Sequence, residues 1–185
     1  MAKLRLPFFI ITSTFLFLAF FYHSSLSTAD MTASMKTSLD ISFSQVSGPG
    51  ETPLKIKVVV RNPTSSTLTI FNWNSPLDSL AANTGVFRIF EGDNEVEGAV
   101  IRINRILPAG QDALTEIPAG GEAEVEHMLR PFNLGKGKYR VESKWNWMKV
   151  WESAKKDVTD EMMEGASGFG GSEGEQLERV VEVEI

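Results

Sequence analysis

Few side chains in this 185-residue chain are of the types and spacings that do chemistry. Glu122, Glu124 and Glu126 alternate along one stretch. Carboxylates at i, i+2 and i+4 of a strand share one face, where they draw a hard cation or form a solvated row that protects a sheet edge. His127 falls on the opposite face with Val125 and Leu129, as a structural residue or a pH-sensitive contact. The other histidine, His23, sits in an N-terminal apolar run, and one imidazole does not build a catalytic zinc centre with its open position. Cysteine is absent, which removes thiolate nucleophiles, thiolate ligands and disulfides together. There is no Gly-x-Ser-x-Gly elbow, and Gly168-Phe169-Gly170-Gly171 lacks the spacing and the flanking strand and helix of a phosphate-cradling loop. The expectation is a protein that is not an enzyme, with no catalytic, cofactor-binding or metal-binding residues and no cofactor.

The aromatic residues carry the best binding candidates. Trp145, Trp147 and Trp151 share a face if a strand continues past Tyr139. Three indoles are bulky for a sandwich core about 10 Å thick, so at least one is expected at a partly exposed rim. They are either core and corner packing or a contact patch, including a platform on which sugars stack. Trp73 and Asn74, in the loop from Asn72 to Ser79, and the turn Gly92 to Asn94 stand as further contact residues.

The elements that position these residues read as short strands. Alternation at period two marks Leu39 to Phe43, Leu54 to Val60, Leu68 to Ile70, Val86 to Phe90, Val100 to Ile106, Ala123 to Leu129, Tyr139 to Trp147, and Val181 to Ile185. Turn formers separate them, among them Gly48-Pro49-Gly50, Asn62-Pro63, Gly92-Asp93-Asn94, Pro108-Ala109-Gly110 and Pro118-Ala119-Gly120-Gly121. Seven to eight such strands predict an all-β fold, an immunoglobulin-like antiparallel β-sandwich. Gly137-Lys138-Tyr139 suits a corner in which the tyrosine hydroxyl bonds back to the preceding loop. After Trp145 the residues Trp147, Val150, Trp151, Ala154 and Val158 also fit helical spacing; the favoured reading is strand to about Val150, then a turn of helix. Residues 164–176, rich in Gly, Ser and Glu, read as a disordered loop that lets a final strand return.

Targeting and charge bound the setting. Lys3 and Arg5 precede an apolar run, and Ser27-Thr28-Ala29 offers small residues for cleavage, so residues 1–29 are read as a signal peptide and 30–185 as the domain. The alternative is a signal anchor in which residues 7–22 hold the chain in a membrane of the secretory pathway. The formal charge of −6 is uneven: residues 30–151 balance to −1 and residues 152–185 to −7. Such a chain has no basic footprint for nucleic acid. Asn62 is followed by Pro63, which removes it as a glycosylation acceptor.

Several phrases resemble a known family. Leu54 to Asn62 with Thr64 to Thr69, then Phe71-Asn72-Trp73-Asn74-Ser75-Pro76-Leu77 and Val86-Phe87-Arg88-Ile89, are similar to the pro-region of fungal deuterolysin-like and peptidyl-Lys metalloendopeptidases. So are Ile117 to His127 and the corner from Phe132-Asn133-Leu134 to Tyr139, and the likeness extends from Leu39 to Trp151. Those enzymes carry a His-Glu-x-x-His helix and a further aspartate for zinc, which this chain lacks. The resemblance implies a free-standing relative of the pro-domain that binds a protein partner, a metalloprotease, as inhibitor or chaperone. The alternatives are a secreted effector or an auxiliary protein of a fungal pathway, such as a biosynthetic cluster, and a carbohydrate-binding module using the tryptophans.

Overall fold

The computed structural model describes residues 39–166 and 176–185. Ten strands follow in order: β1 (Asp40–Gln45), β2 (Lys55–Arg61), β3 (Leu68–Phe71), β4 (Phe87–Glu91), β5 (Asn94–Val96), β6 (Leu114–Ile117), β7 (Glu122–Met128), β8 (Lys138–Trp145), β9 (Val150–Trp151) and β10 (Leu177–Glu184). Among the described residues one α-helix, α1 (Asp160–Ala166), precedes β10. All pairings between the strands are antiparallel.

Two layers form the sandwich, with strand orders β1-β2-β7 and β10-β8-β4-β5. Period-two alternation decides which side chains face inward: Ile56, Val58 and Val60 of β2 oppose Tyr139, Val141 and Trp145 of β8 and Phe87 and Ile89 of β4, all buried. Phe43 bridges the layers, its ring 6.0 Å edge-on to Phe87 and 6.1 Å from Trp145. Along one side β1 and β10 meet through side chains. The Gln45 amide donates to the Glu184 carbonyl at 2.8 Å and accepts from the Glu184 N–H at 2.9 Å, and Arg179 Nε donates to the Ile41 carbonyl at 3.0 Å. These bonds cover two strand edges that would otherwise lie open. The Tyr139 hydroxyl donates to the Gly135 carbonyl at 3.1 Å, which closes the expected corner.

The registers place every long connection at one end. Arg61 pairs with Glu122, Phe87 with Ser143, Ile89 with Val96 and Leu177 with Trp145. The connections β2 to β4, β5 to β7 and β8 to β10 therefore leave and re-enter the sandwich together. There they build a third sheet, β6-β3-β9, here termed the cap. It has a core of its own, in which Phe71, Leu114 and Trp151 pack with Val158 and with Met163 of α1.

Asn62 ties the cap to the sandwich. Its side chain is fully buried, and the amide nitrogen lies 2.7 Å from the Ser66 carbonyl and 3.1 Å from those of Ile117 and Pro118. Its oxygen accepts from the Thr64 N–H at 3.0 Å and the Thr64 hydroxyl at 2.6 Å, and its own N–H reaches the Gly121 carbonyl at 2.9 Å. One side chain thus holds the exit from β2 against the entry to β7.

Four sequence expectations change. Val100–Ile106 is not a strand: residues 97–110 run as an irregular strap over the surface, joined to its surroundings at a Gly98–Phe132 bridge. A Cβ on Gly98 would meet the Phe132 ring at 2.5 Å, so glycine permits that approach. The strand from Tyr139 ends at Trp145, and Val150–Trp151 belongs to the cap, because β9 pairs with β3 and not with β10. Glu164–Ala166 closes α1 and is not loop, whereas residues 167–175 of the proposed disordered segment and the targeting segment 1–29 lie outside the described residues. Finally, β5, β6 and β9 raise the strand count from the expected seven to eight to ten.

Replacing Asn62 with alanine leaves buried carbonyls without donors and is expected to cost on the order of 3 kcal/mol. For a domain of this size that lowers Tm by roughly 6–12 °C, read by differential scanning calorimetry. An unchanged Tm contradicts the clamp.

Candidate functional site

Of the contact residues singled out in the sequence, Trp73 and Asn74 lie at the cap, whereas the turn Gly92 to Asn94 closes the β4–β5 hairpin at the other end. From Asn72 to Ala81 the chain folds as turns three residues apart, the N–H groups of Ser75, Asp78 and Ala81 each donating to the carbonyl three residues earlier at 2.9–3.1 Å. Serine, aspartate and asparagine stabilise such turns by bonding local backbone groups. The Ser75 hydroxyl donates to the Asn72 carbonyl at 2.7 Å, and the Asp78 carboxylate accepts the N–H groups of Asn74 at 3.1 Å and Leu80 at 3.0 Å. Asn74 sits at φ 57°, a left-handed conformation that asparagine tolerates better than most residues. This puts Asn74 and Leu80 at the surface on a rigid loop, with Trp73 half-buried between them and the cap core.

Arg105 of the strap completes the site. Its guanidinium pairs with the buried Asp78 carboxylate and stands 5.0 Å over the Trp73 ring, whose other neighbour is Phe71 at 4.8 Å. The ion pair and the cation–π contact latch the strap to the turn ladder. Below them His127 is buried, its Nε2 2.7 Å from the Pro76 carbonyl and its ring 5.1 Å from Phe87. Burial pushes His127 below the ordinary 6.5, against the opposing pull of the Pro76 carbonyl and the Asp78 carboxylate.

The structure separates the remaining candidates from this surface. Trp145 and Trp147 are buried in the sandwich core, edge-on at 5.8 Å, and Trp151 is buried in the cap beside Phe71. All three pack as core residues, and the tryptophan nearest the rim is Trp73. Sequence reasoning missed Asp78 and Arg105, whose side chains meet across 27 residues of chain. The only hint was an aspartate inside the turn-forming loop.

Glu122, Glu124 and Glu126 line the exposed face of edge strand β7, where Glu124 pairs with Lys57 at 3.1 Å. Among the described residues no group of three or more histidine, aspartate or glutamate side chains is placed to hold a metal ion. The arrangement at the cap offers an aromatic and amide contact surface backed by a buried ion pair.

An antiparallel sandwich with its long connections gathered at one end, and a tyrosine corner at the other, defines an immunoglobulin-like protein. The chain belongs to the immunoglobulin-like domain family, whose model matches residues 38–185. It is similar to an uncharacterized secreted protein of Arthroderma benhamiae, 32% identical over 148 residues that cover 73% of this chain and 74% of the relative. Among the described residues no helix is long and apolar enough to cross a membrane.

Two measurements test this geometry. Arg105→Ala strands the buried Asp78 carboxylate and is expected to cost about 3 kcal/mol in denaturant unfolding; a loss within error of zero contradicts the latch. Because folding depresses the His127 pKa, its contribution is complete above pH 6.5. As the pH falls through 6.5 towards the folded value, the unfolded chain takes the proton first and stability declines. The Tm of His127→Gln is expected to fall less than that of the wild type over this range; parallel profiles refute the assignment.

Proposed function

We propose that this is an exported, non-catalytic immunoglobulin-like protein that binds another protein through its cap. The observation that carries the reading is the convergence of three long connections on one end, where they form an ordered surface and not loose loops. Binding residues concentrate on loops held by a rigid scaffold, and the turn ladder under Trp73, Asn74 and Leu80 meets that description. Export is supported by the targeting pattern of residues 1–29 and by the similarity to a secreted protein. Burial of Trp145, Trp147 and Trp151 removes support for a sugar-stacking platform.

The partner suggested by resemblance is a secreted metalloprotease of the deuterolysin or peptidyl-Lys class, with this protein acting in trans as inhibitor or folding chaperone. The purified protein is expected to bind such a protease and slow its turnover. Asn74→Gly, which keeps the left-handed backbone, combined with Leu80→Glu, is expected to weaken binding about tenfold or more while leaving Tm unchanged. Absence of both binding and inhibition rejects the protease partner. Binding that the double variant leaves intact rejects the cap as its surface.

A further inference from the structure

We propose that the strap is a strand-addition site at which a second copy of this chain pairs with it antiparallel, joining two molecules edge to edge. The strap has the side-chain pattern of a strand without the ladder. Ile103, Arg105 and Leu107 are half-buried against the body, whereas Arg102, Asn104 and Ile106 are exposed, the alternation of an extended segment. Val100 and Ile106 are 59% and 82% exposed, β-branched groups open largely to solvent. The Ala99 N–H reaches the Pro131 carbonyl and the Ile101 N–H the Asn83 carbonyl, but from Arg102 to Leu107 no backbone N–H or carbonyl bonds to any described residue. Unpaired, extended, β-branched backbone is a template for another strand.

The sequence of the strap makes a copy of itself the fitting occupant. Antiparallel pairing centred on Ile103 sets Val100 opposite Ile106 of the other copy, an aliphatic pair made twice across the axis. The same register sets Arg102 opposite the Asn104 amide, whose oxygen accepts from the guanidinium. Parallel pairing would instead face Arg102 with Arg102, which like-charge repulsion disfavours. Arg102 has no ion-pair partner among the described residues, so no existing contact is broken. A ladder of about seven residues buries less than a standard interface, so the dimer is weak and concentration-dependent.

This inference does not rest on the binding reading above, since it concerns self-association and needs no partner. Sedimentation velocity of the secreted protein over rising concentration tests it directly. The wild type is expected to move from monomer to dimer. Ile106→Lys, at a site too exposed to disturb folding, is expected to weaken the dimer about tenfold, because the aliphatic pair is lost on both sides of the axis. Ile106→Val is expected to keep it. A wild type that stays monomeric throughout, or a dimer equally strong in Ile106→Lys, overturns the proposal.

Discussion

The buried amide of Asn62 is the contact on which the rest of the architecture depends. A sandwich of this kind needs only short turns at its ends, yet here three connections leave one end and must return in register. Asn62 meets that requirement by donating to carbonyls on both sides of the junction and accepting from Thr64, so the exit of β2 and the entry of β7 form one hydrogen-bonded knot. A buried polar network satisfied in this way specifies one arrangement, because any shift of either chain strands a donor or an acceptor. With that junction set, β3 and β6 lie side by side, and β9 adds to the free edge of β3.

Holding the cap in place creates the second core, and the second core explains the tryptophans. A single layer of side chains between two sheets cannot easily take three clustered indoles. The chain divides them: Trp145 and Trp147 fill the sandwich, Trp151 fills the cap with Phe71, Leu114 and Met163, and Trp73 closes the cap towards solvent under Arg105. The surface left at that end is thereby stiff. Its loop backbone is bonded turn by turn, its carboxylate is neutralised beneath the surface, and its exposed groups lose little freedom on meeting a partner. Preorganisation of this kind raises affinity without adding contacts.

Much of the sandwich was legible because its strands obey a simple rule. The alternation in Leu54 to Val60, Ala123 to Leu129 and Tyr139 to Val141 reports one buried face, and the glycine, proline and asparagine pairs between them mark real turns. Of the cap strands, β3 was legible from Leu68 to Ile70, whereas β6 and β9 were not. The buried residues of β6 are its two ends and do not alternate, and β9, with both residues buried, is too short to show a pattern. The strap misled in the opposite sense: Val100 to Ile106 has strand chemistry but pairs with no strand among the described residues. Trp73 and Asn74 were singled out from their loop. Arg105 and Asp78 were not, because their pairing is created by the tertiary fold and neither residue stands out locally.

The central claim is that the cap end meets other proteins while the opposite end serves only to close the fold. Hydrogen exchange on the protein, alone and then bound to the protein it captures from culture medium, tests this most directly. The account predicts added protection in the cap loop 72–84. Protection confined to the turn at 46–54 and the tyrosine corner at 135–138, at the other end of the sandwich, would contradict it.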